Sequence, residues 1–351
     1  MSLENIFLLF GCLFCLLSGF IGFGILSRSS PQKPLSATII LGLTFVVSSA
    51  YAIFNWHDND FISQASVLAF LMPLLTAIPL VALIFFPLKG IFRWLVFFCL
   101  ACITLISCHI ETILFSNLPL WANQIIVAFL WSIIAVGLRV LNGKPVLVVS
   151  EVLGTGFGIF ILSLIGAAPF ALGLSNACLF AASLAFLFYN WEPPALSLKD
   201  SEADLLGFII GGQIAWCVAE GSGAPAVIFI MLFICELLFA LAQKLTFLPA
   251  FADIKQNTAY AKSISSGLSQ PTVASHFLRI NLLLVLFGCF QVYAPNQISI
   301  PLVCAAVTAW QMYRLIHWST LTSGIRETNQ AVAAELKKNF AEIKKHLNKD
   351  K

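Results

Sequence analysis

Apolar runs alternate with short polar breaks along almost the whole chain. Eleven runs are long enough to count as membrane spans: 3–26, 35–56, 64–86, 93–115, 121–141, 145–166, 168–189, 205–219, 226–243, 277–294 and 298–318. A spanning helix needs about 20 apolar residues to cross ~30 Å of hydrocarbon. The eighth run is short, cut back by a polar island. That island reads Asn190-Trp191-Glu192-Pro193-Pro194, then Lys199-Asp200-Ser201-Glu202-Ala203-Asp204, and it holds four of the sixteen acidic residues. After residue 318 the pattern changes: Ile325, Val332, Leu336, Phe340, Ile343 and Leu347 recur at helical spacing, with lysines on the other faces. The pattern predicts an all-α polytopic membrane bundle over 1–318. It also predicts a basic amphipathic tail helix over 319–351, of the kind that lies on anionic lipid.

Composition agrees. The chain is 60% hydrophobic and 10% charged, with a mean hydropathy of +0.95, where a soluble domain carries about 25% charged residues. The first run has no basic segment before it and no small-residue cleavage site, so it is expected to be a retained helix. All ten cysteines lie in apolar runs. Cys12/Cys15 and Cys99/Cys102 have the spacing of a metal or redox pair, but no second His/Cys pair accompanies them, and helix packing accounts for both. Gly154/Gly158 and Gly207/Gly211 have the spacing that lets membrane helices approach closely.

Charge then orients the spans. All nineteen Lys and Arg residues fall on alternate loops or span ends, from Arg28 and Lys33 through Lys199 to the tail. The intervening loops carry His57-Asp58-Asn59-Asp60, Glu111 and Glu220 and nothing basic. Because basic residues stay in the cytoplasm, the N-terminus is expected outside, and the C-terminus and polar island inside. The expected surroundings are the lipid bilayer, with no nucleic acid. Within the spans, Glu236 and Glu151 are the ionisable residues that need a reason, since such groups are costly in lipid and face a cavity or the bundle interior. Glu236, near the middle of its run, is the stronger candidate. Arg139, Arg314 and His317 sit near cytoplasmic ends, where snorkelling suffices.

At the polar island the spacing resembles the polyprenyl-phosphate N-acetylhexosamine-1-phosphate transferases, membrane enzymes that initiate cell-wall and surface-polysaccharide synthesis. Those proteins carry an Asn, a Pro three residues on, a Gly-Asp ten residues after the Asn, and then Leu-Gly. Asn190, Pro193, Asp200 and Leu206-Gly207 fall at those separations, with Lys199 in place of the Gly. Upstream, Arg28-Ser29-Ser30 and Gln32-Lys33-Pro34 are similar to the family's first cytoplasmic loop. Downstream, Glu236 stands at an acidic position, Gln243-Lys244 replaces an Arg pair, Pro249 and Phe251 are kept, and Gly267-Leu268-Ser269 matches a Gly-Leu-Ser. The similarity covers roughly residues 20–295, and it implies ten or so spans with the active site on cytoplasmic loops.

The resemblance also implies what is missing. The family moves a sugar-1-phosphate from a UDP-sugar to a polyprenyl phosphate such as undecaprenyl phosphate, using Mg²⁺ on carboxylates. Its paired Asp would fall near Leu83-Ile84, and no acid stands between Phe61 and Ile110. Its Asp-Gly-x-Asp-Gly loop has only Asn142-Gly143 as a relic, and its three histidines are Thr258, Tyr260 and Ala261. The expectation is a degenerate member of a bacterial inner membrane, acting in envelope-polysaccharide assembly as a homodimer or with another envelope protein. If active, it would use Asp200 as metal ligand, Asp200 and Glu236 as catalytic acids, Asn190 at the nucleotide, and Arg28, Lys33, Arg93 and Lys144 on phosphates. An active transferase with a rearranged site is the second reading. A transporter or lipid flippase is the third, although the sequence shows neither repeat nor broken helix.

Overall fold

The computed structural model describes residues 3–29, 36–56, 91–107, 115, 117–142, 146–191, 194–245 and 254–318. These residues form twelve α-helices and one 3-10 turn, with no strand among them. In chain order the helices are α1 (Leu3–Ser29), α2 (Ser36–Trp56), α3 (Ile91–Ser107), α4 (Leu120–Leu141), α5 (Leu147–Leu164) and α6 (Phe170–Asn190). They continue with α7 (Asp200–Ala219), α8 (Gly223–Phe229), α9 (Met231–Leu245), α10 (Ala259–Ser265), α11 (Gln270–Val292) and α12 (Ser299–Ile316). Seven of them, α1, α2, α4, α5, α6, α7 and α11, are long and apolar enough to cross a membrane. This is a helical membrane protein. The expected run at 64–86, the tail at 319–351, Lys33 and Lys144 lie outside the described residues.

Two elements differ from the sequence expectation. The short eighth run is a full helix, α7, which begins at Asp200 and takes the acidic half of the polar island into its first turns. The ninth is not one helix: α8 and α9 meet at a 60° bend around Ile230. Neither Gly nor Pro stands at the bend, so long-range packing decides it. The Phe229 ring, at the end of α8, fills the space above two glycines on neighbouring helices. A Cβ at Gly158 of α5 would come within 2.7 Å of that ring, and one at Gly288 of α11 would collide with it.

The helices pack as two linked groups. α6 lies against α1, α2 and α5, and α5 carries α11, which in turn holds α8 and α12. The other group is α3, α4 and α7, joined to the first where α7 meets α2, α5 and α8. The α4–α7 contact brings backbone against backbone, because a Cβ at Gly207 would stand 2.7 Å from the Ala135 carbonyl oxygen. One turn further along α7, Trp131 of α4 lies over Gly211. Its indole Nε1 donates to the Phe208 carbonyl at 2.6 Å, and the two rings sit 4.8 Å apart. Small residues give this close approach, and the hydrogen bond fixes its register.

Candidate functional site

α7 is the most enclosed of the long helices, yet its first two turns carry Asp200, Glu202 and Asp204. Acids at a helix N-terminus are favoured by the helix dipole, but in a membrane protein each also needs a partner. Each has one, and each partner comes from a different helix. Asp200 Oδ2 accepts from Arg139 Nε at 2.9 Å, with Arg139 Nη2 also at 2.9 Å, and its Oδ1 accepts from Asn142 Nδ2 at 2.8 Å. Arg139 and Asn142 lie at the end of α4. Glu202, fully buried, receives the Ala37 N–H of α2 on Oε1 at 2.9 Å and its own helix's Lys199 N–H on Oε2 at 2.8 Å. Asp204 Oδ2 pairs with Arg93 Nη1 of α3 at 3.0 Å. The three acids of these two turns thus tie α2, α3 and α4 to α7.

The two ion pairs differ in exposure. The Arg93 and Asp204 side chains are 10% and 0% exposed, those of Arg139 and Asp200 35% and 33%. The inner pair is part of the core, and the outer one opens to the end of the bundle.

Asn190 ends α6 and is buried. Its Oδ1 accepts the Val146 N–H at 2.6 Å and its Nδ2 donates to the Leu196 carbonyl at 2.8 Å, joining the start of α5 to the chain after the island. Val146 has φ 74°, a left-handed conformation that a β-branched residue adopts only at a cost. The Asn190 bond holds it there. Glu236, fully buried on α9, accepts the Ala259 N–H on Oε2 at 2.8 Å and the Tyr260 N–H on Oε1 at 3.0 Å. It therefore caps α10 from a neighbouring helix, together with Thr258, whose Oγ1 accepts from the Ala261 N–H at 3.2 Å. The three positions compared above with the family's histidines are one helix cap. Glu151, also buried, receives Asn281 Nδ2 of α11 at 3.4 Å and lies within electrostatic reach of Glu236.

The expected site residues therefore divide between places. Asp200 begins α7, Arg93 meets that helix at another acid, Asp204, and Asn190 bridges the neighbouring chain segments. Glu236 belongs to the α9–α10 contact, and Arg28 is exposed at the end of α1. The sequence reading left out Asp204 as a partner for Arg93, and Arg139 and Asn142 as partners for Asp200. Its usable signal was spacing: Asp200/Asp204 at i,i+4 and Arg139/Asn142 at i,i+3 each share one helix face.

Mg²⁺ asks for near-octahedral oxygen donors, commonly one or two carboxylates with phosphates and waters. Here both oxygens of Asp200 already accept hydrogen bonds from a guanidinium and an amide, and both of Glu236 from backbone N–H groups. Among the described residues no three His, Cys, Asp or Glu groups stand together as a metal site. This donor arrangement does not fit the ion. What it does chemically is neutralise charge and fix helix positions. Comparison with protein-family models and with curated proteins finds no match to this chain.

Proposed function

We propose that this protein is a glycosyl-1-phosphate transferase-like membrane protein of envelope-polysaccharide synthesis that has kept the scaffold and turned the acidic positions to structural use. In this reading it sits in a bacterial inner membrane with eleven spans, N-terminus outside, and works beside other envelope enzymes with little or no turnover of its own. One observation carries it. Asp200 and Glu236, the carboxylates at the positions that resemble the family's acids, are each bound on both oxygens by groups of the protein. A transferase needs such carboxylates to face a metal–phosphate complex. Losing one preorganised charge of this kind costs a factor of about 10²–10³ in rate. The test is incubation of the purified protein with labelled UDP-N-acetylglucosamine, undecaprenyl phosphate and Mg²⁺. No lipid-linked product above background is expected, and robust turnover abolished by Asp200→Asn overturns the reading in favour of an active transferase with a rearranged site.

The bend at Ile230 favours a second reading, since broken helices line the substrate paths of transporters. Counterflow of a labelled polyprenyl phosphate across protein-bearing vesicles, lost on substitution along α8 and α9, would support a flippase over a silent transferase.

A further inference from the structure

At the end of the bundle where α9, α10 and α12 meet, a cavity of about 550 Å³ is walled by Leu238, Phe239, Met312, Tyr313 and Ile316. Its polar rim is Gln243, Lys262 and His317. α10 is held in place here from two directions, by Glu236 on its first amides and by the Ser266 hydroxyl, which donates to the Leu315 carbonyl of α12. Lys262 Nζ donates to Gln243 Oε1 at 2.6 Å and stands 5.3 Å from the centre of the Phe239 ring. Both partners are neutral, so among the described residues nothing compensates the ammonium charge.

Arg314, exposed on α12, follows the lining residue Tyr313 in the chain. Among the described residues, the only ion pairs are the two on α7, so neither Lys262 nor Arg314 has a carboxylate partner among them. An apolar slot lined by a cation with no carboxylate partner among the described residues is complementary to a molecule with an acyl body and a phosphate head. Basic pockets between membrane helices hold such head groups.

We propose that this cavity binds an anionic glycerophospholipid of the surrounding bilayer, its phosphate on Lys262 and an acyl chain along Leu238, Met312 and Ile316. Gln243 orients the ammonium toward the head group, and the Phe239 ring fixes its approach. The lipid fills the gap between α9 and α12 and secures α10 against both. This site stands independently of the transferase-like reading, since Asp200 and its partners take no part in it.

The full chain in detergent is offered phosphatidylglycerol or phosphatidylcholine at equal concentration, and retained lipid is counted by native mass spectrometry. Phosphatidylglycerol is expected to be retained preferentially by the wild type. Lys262→Glu is expected to lower that retention about tenfold, equivalent to about 1.4 kcal/mol. Ala309→Trp blocks the exposed mouth of the cavity without altering charge, and it should lower retention of phosphatidylglycerol to the level of phosphatidylcholine. Lys199→Glu, an equal charge reversal at the exposed N-cap of α7, should leave retention unchanged. Equal retention of the two lipids by the wild type overturns the proposal without recourse to any variant. So does loss of bound lipid to millimolar inorganic phosphate, which would mark a free-anion site. Retention of undecaprenyl phosphate to the exclusion of phosphatidylglycerol would overturn it too, assigning the cavity to a polyprenyl substrate.

Discussion

The acids at the start of α7 and the cations around α10 to α12 treat charge in opposite ways. At α7 each carboxylate meets a donor from another helix, with Arg93, Arg139, Asn142 and the Ala37 amide all turned toward α7. At α10, Lys262 meets only neutral groups among the described residues. The first region spends its charge on architecture, since a buried ion in a membrane protein persists only where it is matched. The second leaves charge outward, where lipid head groups can meet it. Apolar helices alone would have little reason to choose one another over lipid, so the paired acids supply the specificity with which α2, α3 and α4 find α7.

The contrast can be broken at its inner pair first. Asp204→Ala leaves Arg93 as an uncompensated buried charge, which is expected to cost about 3–5 kcal/mol. A large fall in the thermal midpoint in detergent should result. Arg93→Met/Asp204→Leu, removing both charges, should recover most of it. If the single variant melts with the wild type, the pair is not architectural. Gly207→Val tests the close approach behind the pairs. Its side chain would meet the Ala135 backbone, which cannot rotate away, and overpacking of this kind costs about 1–3 kcal/mol. The same midpoint reads it, and an unchanged value would mean that α4 and α7 separate freely.

Glu202→Ala removes the cap on α2 and the bond to Lys199 together, for about 0.5–2 kcal/mol. Faster hydrogen exchange is expected at Ala37 and in the first turn of α2, with α12 unaffected. Asp200→Asn sharpens the comparison from the other side. Its pair with Arg139 is a third exposed, and exposed pairs are worth only about 0.2–1 kcal/mol. The midpoint should barely move. A fall as large as that of Asp204→Ala would place both pairs in one core.

Much of this architecture is legible in the chain. The runs at 35–56, 121–141 and 168–189 differ from α2, α4 and α6 by no more than two residues at either end, because apolar length alone decides them. α7 was cut short because hydropathy counts Asp200, Glu202 and Asp204 as exposed charges, and their neutralisation by α2, α3 and α4 is invisible to a local window. Snorkelling was a sufficient local reason for Arg139, and only the fold brings Asp200 to it. The division into α8 and α9 was hidden for the same cause, since the glycines that receive Phe229 stand 71 residues upstream and 59 downstream of it. Glu236 was singled out correctly as a carboxyl needing an explanation. Its explanation, two amides of α10, lies more than twenty positions along the chain.

The seat of Phe229 has a consequence for how this bundle can change. One benzene ring sets the spacing between α5 and α11, so Gly158, Phe229 and Gly288 behave as a single unit of shape. A methyl group added at either glycine has to be matched by a smaller side chain at 229. Sequences that share this fold should therefore vary these three positions together or leave all three alone.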